Sequence, residues 1–293
     1  MMSDSVIEAV VIEVANRDVE VLEEALGALE LTPASYTDLE TGVTTTYLVT
    51  EGRREAEALA ARLTSYLTEW ASLLASSPAI AVKSIRQEDW SQSWKANFHT
   101  FRASERLVVK PSWEDYDAAP GELVLPIDPG MCFGTGYHGT TRACLTYLDK
   151  LQAAHGRLSF IDAGTGSGIL AIGARLLGYS PVYAFDNDPQ CIPTALENLE
   201  RAGFTDVDVA CAPLGTYRPP EPADVVAANI LAIVLMKQTD DVIALARPGG
   251  FLILSGILIE QYDALRQAFL DRGCRELEQT TRDEWRSGLF ARP

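Results

Sequence analysis

The chain is short of cysteine, of basic residues and of long apolar runs, and each shortage removes a class of function. Its five cysteines, Cys132, Cys144, Cys191, Cys211 and Cys274, are odd in number and never form a C-x-x-C pair, so neither a disulfide framework nor a zinc site is expected. They read as reduced thiols of a cytoplasmic protein, and no metal is expected. Lysine and arginine number 24 against 41 acidic residues, a formal charge of −17. That balance argues against affinity for nucleic-acid phosphates and leaves solubility or a basic protein partner. The acidity is densest in residues 1–86, which hold 14 acidic and 6 basic residues. No apolar stretch approaches the length of a membrane helix, and Met1-Met-Ser-Asp-Ser5 has neither the basic lead nor the apolar core of a signal peptide, so no membrane association is expected. What remains is a globular chain of 293 residues, 47% hydrophobic, enough for a sizeable core and about two domains.

The apolar pattern divides the chain into three stretches. Residues 1–86 alternate in the order βαββαβ, with strands at about 6–14, 34–40, 43–50 and 79–86 and helices at about 17–29 and 53–74. That order suits a small ferredoxin-like α+β domain, a four-stranded antiparallel sheet with two helices on one face. It holds no histidine or cysteine, and it reads as a recognition module. Residues 87–125 form a connector in which Trp90, Trp94 and Phe98 share one helix face and serve packing. Residues 126–293 complete the chain. From Val124 the pattern becomes β/α, with strands near 123–127, 158–162, 181–186, 207–211, 223–229 and 250–255, a helix at 258–272, and a closing pair of strands near 274–281 and 285–291. An α/β fold follows: a parallel Rossmann-like sheet with helices on both faces and a C-terminal antiparallel hairpin, the edge found in class I methyltransferase sheets.

Three segments converge on one pocket. Asp162-Ala-Gly-Thr-Gly-Ser-Gly168 lies between an apolar strand and a helix, where alternating glycines let the backbone bend sharply and approach a bulky ligand. Asp186 stands 22 residues beyond Gly164 at the end of the next strand, placed to accept both hydroxyl hydrogens of a ribose. The spacing Gly164, Gly166, Gly168 departs from G-x-G-x-x-G, which favours S-adenosyl-L-methionine over a nicotinamide dinucleotide without eliminating the latter. Asn229 ends a buried strand, where open α/β sheets bind their ligands. The Gly/Thr-rich segment 128–141, with Phe133, Gly134, Thr135, Gly136 and His138, is expected to be a lid over the same pocket. His138 is read as a structural lid residue, so no general base is assigned.

With these segments in place, the chain resembles the PrmA family of bacterial methyltransferases that modify large-subunit ribosomal protein eleven. The resemblance covers essentially the whole length. It rests on the pattern of residues 128–141, the glycine turn, Asp186-Asn-Asp188-Pro189, Asn229-Ile-Leu231 and Leu254-Ser-Gly-Ile-Leu258, in the family's order. It implies that Thr141, Gly164, Asp186 and Asn229 contact S-adenosylmethionine, that lysine ε-amines and the N-terminal α-amine of a basic ribosomal protein receive methyl groups, and that the first domain captures that protein. A monomer with no direct nucleic-acid binding is expected. Another protein or small-molecule amine as acceptor, a nicotinamide-dependent oxidoreductase and a non-catalytic ribosomal-protein binder are the alternatives. Gly139 stands where the family commonly has proline, and Thr165 where it commonly has cysteine, so the lid base and the cofactor turn differ locally.

Overall fold

A computed structural model describes residues 6–15, 18–27, 29, 31, 34–38, 42–70, 74, 76–86, 99–128 and 139–293. The chain divides into two compact units, Met1–Ala96 and Asn97–Pro293. Trp90, Trp94 and Phe98 of the expected aromatic stripe, and Phe133, Gly134, Thr135, Gly136 and His138 of the expected lid, lie outside the described residues.

The first unit contains strands β1 (Val6–Ala15), β2 (Ala34–Asp38), β3 (Val43–Thr50) and β4 (Ala79–Arg86), with helices α1 (Val19–Gly27) and α2 (Arg53–Glu69). The sheet order is β2-β3-β1-β4 with every pair antiparallel, the ferredoxin-like order. Alternation sets the buried face. Val10, Ile12 and Val14 of β1 pack with Leu48 of β3 against Leu22 and Leu26 of α1 and Leu63 and Leu67 of α2, because successive strand residues point to opposite faces. Helix α2 stops short of the expected residue 74, where the Trp70 N–H turns back to donate to the Leu67 carbonyl at 3.2 Å.

The second unit opens with β5 (Phe101–Arg102), β6 (Leu107–Lys110) and β7 (Leu123–Pro126). These make a separate three-stranded sheet, antiparallel between β5 and β6 and parallel between β6 and β7. One expectation changes here: residues 123–127 do not begin the large parallel sheet. Within the connector expected at 87–125, Leu107, Val109 and Leu125 are fully buried in the main core. The run Leu107-Val-Val109 is buried throughout, as a continuous apolar run signals.

The remaining elements alternate: α3 (Gly139–His155), β8 (Phe160–Ala163), α4 (Ile169–Leu177), β9 (Val182–Asp186), α5 (Cys191–Arg201), β10 (Asp208–Cys211), β11 (Ala223–Asn229), α6 (Ala232–Lys237), α7 (Thr239–Leu245), β12 (Ala246–Leu258), α8 (Ile259–Leu270), β13 (Arg275–Arg282) and β14 (Trp285–Ala291). The seven-stranded order is β10-β9-β8-β11-β12-β14-β13. Strands β8 to β12 are parallel, and β14 joins antiparallel between β12 and β13. Helices α3 and α4 cover one face through Leu145, Leu148, Leu170 and Ile172; α6, α7 and α8 cover the other through Leu235, Val242, Leu265 and Phe269. Strand order runs outward from β8 through β9 to β10 on one side and from β11 to β12 on the other. The carboxyl ends of β8 and β11 therefore flank a topological switch point, where such sheets open a crevice.

Candidate functional site at the switch point

The glycine turn follows β8. Gly164, Gly166 and Gly168 have φ of 76°, 52° and 84°, a left-handed region that costs other residues about 1–2 kcal/mol. Space is a second constraint, because a Cβ on Gly164 would lie 2.4 Å from Cγ2 of Ile230. Four hydrogen bonds to three residues pin the turn. The Gly164 and Thr165 N–H groups donate to the Phe185 carbonyl at 2.9 and 3.0 Å, the Gly166 N–H donates to Oδ2 of Asp186 at 2.8 Å, and Nδ2 of Asn198 donates to the Ser167 carbonyl at 2.9 Å. Asn198 was not legible in the sequence, since nothing in its local pattern marks it as a partner of this turn.

Asp186 closes β9 and is 8% exposed. One carboxylate oxygen takes the Gly166 N–H, and the other takes the Asp188 N–H at 3.0 Å. A carboxylate oxygen accepts about two hydrogen bonds, so each retains acceptor capacity for a ribose hydroxyl. The residues present fit an adenosine-bearing cofactor.

Asp162, at the other side of the turn, is fully buried. Its Oδ2 accepts from the Thr165 hydroxyl at 2.7 Å and from the Ala171 N–H at 3.1 Å, while Oδ1 meets no hydrogen-bond partner. Burial pushes its carboxyl up to about 7, against the two hydrogen bonds, with the nearby Asp186 charge adding to the rise. The departure from cysteine at Thr165 thus supplies a donor to this acid. The folded state keeps its proton to about pH 7, whereas the unfolded chain loses it near 3.8. Stability from this group is therefore complete below about pH 4 and lost as pH rises to about 7. Thermal melts across pH 4–8 are expected to show a downward component that Asp162→Asn removes; an identical pH slope in the variant would contradict the buried, proton-holding acid.

Asn229 ends β11 in register with Ser255 of β12. Its Nδ2 donates to Oγ1 of the fully buried Thr141 at 3.4 Å. That contact turns Oδ1 toward a position where it is buried and without a partner. An unpaired buried amide oxygen costs about 1–3 kcal/mol, and a ligand N–H at this spot would relieve it. Thr141 and Asn229 come from segments 88 residues apart, and the fold brings them together. Gly164 and Gly166 follow β8 and Asp186 ends β9, on the other side of the switch point. A cavity of about 310 Å³ bounded by Arg157, Tyr183, Glu221 and Asp224 lies at the amino ends of the strands and holds none of these groups.

Comparison with known proteins places the chain in a family. The family model described as ribosomal protein L11 methyltransferase (PrmA) matches residues 3–292. A ribosomal protein L11 methyltransferase from Citrifermentans bemidjiense is 42% identical over 221 residues, covering 74% of this chain and 70% of that protein. The counterpart from Geobacter metallireducens is 43% identical over 209 residues, covering 71% and 68%. A crystal structure of a ribosomal protein L11 methylase from Lactobacillus delbrueckii subsp. bulgaricus superposes with a TM-score of 0.61 at 30% identity, covering 67% of this chain and 99% of that one.

Proposed function

This chain belongs to the ribosomal protein L11 methyltransferase family, and from that premise we propose that it transfers methyl groups from S-adenosylmethionine to lysine ε-amines and the N-terminal α-amine of ribosomal protein L11. The observation that carries the reading at the site is the buried, unpartnered Oδ1 of Asn229 beside Thr141, across the switch point from the glycine turn and Asp186. A nicotinamide-dependent oxidoreductase is set aside by the family.

S-adenosylmethionine supplies a methyl group already activated on a sulfonium. The protein has only to bind, orient and exclude water. Asp186 would hold the ribose through its two remaining acceptor positions, and the 164–168 backbone would lie against the adenosine. Asn229 Oδ1 accepts one N–H of the attacking amine, which fixes the direction of the nitrogen lone pair. An asparagine cannot take up the amine's proton, so that proton leaves to water. Desolvation of the lysine favours its neutral form.

The charge of −17 suits a cationic protein substrate, and the first unit, with its own core and no catalytic group assigned to it, is its capture domain. The acceptor is then brought to the pocket by tethering. A cut near Leu107 would remove Ser104 and Arg106, which donate to the buried Asp149 at 2.6 Å from the Ser104 hydroxyl and 2.9 Å from the Arg106 N–H. The informative truncation begins at Asn97. It is expected to bind S-adenosylmethionine with parental affinity and to methylate intact L11 at least about tenfold more slowly at subsaturating L11. A folded truncation that keeps the parental rate would remove the capture role. The reaction itself is tested by intact-mass analysis of L11 after incubation with the full chain and S-adenosylmethionine: mass gains of one methyl each, mapped to lysines and the amino terminus, are expected. No gain on L11 would overturn the assignment.

A further inference from the structure

Beneath Thr141 lies a buried polar chain that the reaction scheme above does not use. Ser255 is fully buried at the register position beside Asn229. Its hydroxyl donates to the Thr140 carbonyl at 3.3 Å and lies 2.7 Å from the hydroxyl of Ser287. A serine hydroxyl has one proton and two lone pairs. Because a carbonyl can only accept, that proton goes to Thr140, and Ser287 must donate to Ser255. Its proton and one lone pair are then engaged, in a region where Ser287 is 2% exposed and Thr140 1%. The Tyr147 hydroxyl donates to the Ser287 carbonyl at 3.4 Å, a second tie between the hairpin and α3.

The neighbouring backbone is pressed equally close. A Cβ on Gly256 would lie 2.6 Å from the Ile230 carbonyl oxygen, so the segment carrying Ser255 cannot draw away from the segment carrying Asn229 without opening a contact on each side. Small shifts in such packing are not absorbed continuously.

We propose that Ser255 and Ser287 are positioning residues for methyl transfer: the C-terminal hairpin, through Ser287 and then Ser255, fixes the first turn of α3 and so holds Thr141 against Asn229. This rests on Thr141 and Asn229 being cofactor- and amine-contacting groups. The hairpin strand β14 is thereby part of the site's support, although none of its side chains reaches the crevice in this scheme. Burying a bonded pair of hydroxyls makes sense there because directional hydrogen bonds specify one arrangement, where an apolar contact would tolerate sliding.

The test is calorimetric binding of S-adenosylhomocysteine to full-length Ser255→Ala, Ser287→Ala and Thr141→Val, with the two serine variants also made in the Thr141→Val background. Binding is read well below each melting temperature, so that a purely structural loss would shift the melt and leave affinity unmoved. The serine variants are expected to bind about three- to tenfold more weakly. In the Thr141→Val background neither should add more than about twofold, since the effect passes through that residue. Should Ser255→Ala fail to fold, Ser287→Ala decides, because it removes one donor and leaves the Ser255 bond to Thr140 in place. Parental affinity in the folded serine variants, or full additivity with Thr141→Val, overturns the relay alone. Parental affinity in Thr141→Val overturns the cofactor role of Thr141 and the relay with it.

Discussion

Replacing Asp186 with alanine is expected to weaken S-adenosylmethionine binding by about 10- to 100-fold, the worth of roughly 1.5–3 kcal/mol of charge-assisted hydrogen bonding. Two losses combine. The ribose loses its acceptors, and the Gly166 and Asp188 N–H groups lose the carboxylate that now orients the turn. The sheet should survive, because Phe185 and Ala184 beside it keep their places in the two cores. Asp186→Asn should fall between, as its amide can still accept on one side. Titration calorimetry on the folded variant is the measurement, and an unchanged affinity would falsify the ribose assignment.

The second large effect is expected at Asn229. Asn229→Ala should slow methyl transfer at saturating cofactor and acceptor by about 100-fold or more, because in the proposed reaction it is a preorganised polar group that acts mainly in the transition state. Its effect on stability should be small. The variant gives up a 3.4 Å hydrogen bond to the Thr141 hydroxyl, which stays behind, but also removes an unpaired buried oxygen, and the two effects offset. Single-turnover kinetics separates the readings: a parental rate constant with an altered melting temperature would make Asn229 a scaffold residue.

Much of this was legible in the sequence for identifiable reasons. The strand ending in Asp186 and the strand ending in Asn229 lie where expected, because short apolar runs bounded by turn residues mark buried parallel strands, and the alternating first segment pairs in its expected order. The misplacement of residues 123–127 has a specific cause. Strand β7 pairs in parallel with β6, yet no helix is described between Lys110 and Leu123, and parallel neighbours are ordinarily joined through one. Strand β12 begins at Ala246, four residues before the expected start at 250, because a register shift between Ala223 and Val225 carries Arg247-Pro-Gly-Gly250 inside the strand, residues that read locally as a turn. The Ser255–Ser287 pair was out of reach for a different reason. A hydroxyl in a strand looks the same in sequence whether it faces water or another hydroxyl 32 residues away, and only the pairing of β12 with β14 distinguishes them.

The switch point also links the site to folding. Strands β8 and β11 are hydrogen-bonded neighbours, although β9 and β10 lie between them in the chain. Asp186 and the glycine turn sit on one side of that seam and Asn229 on the other. A chain that has formed β8, α4 and β9 therefore holds half a pocket, and the second half arrives only when a distant strand has docked, a closure whose entropic cost grows with the intervening length. Ligand bound across the seam acts only on the closed sheet, so it adds RT ln(1 + [L]/Kd) to the stability of that closure. The methyl donor is in this sense also a clasp, adding to the strand pairing, the Ser159–Asp224 hydrogen bonds and the two cores that already hold the middle seam.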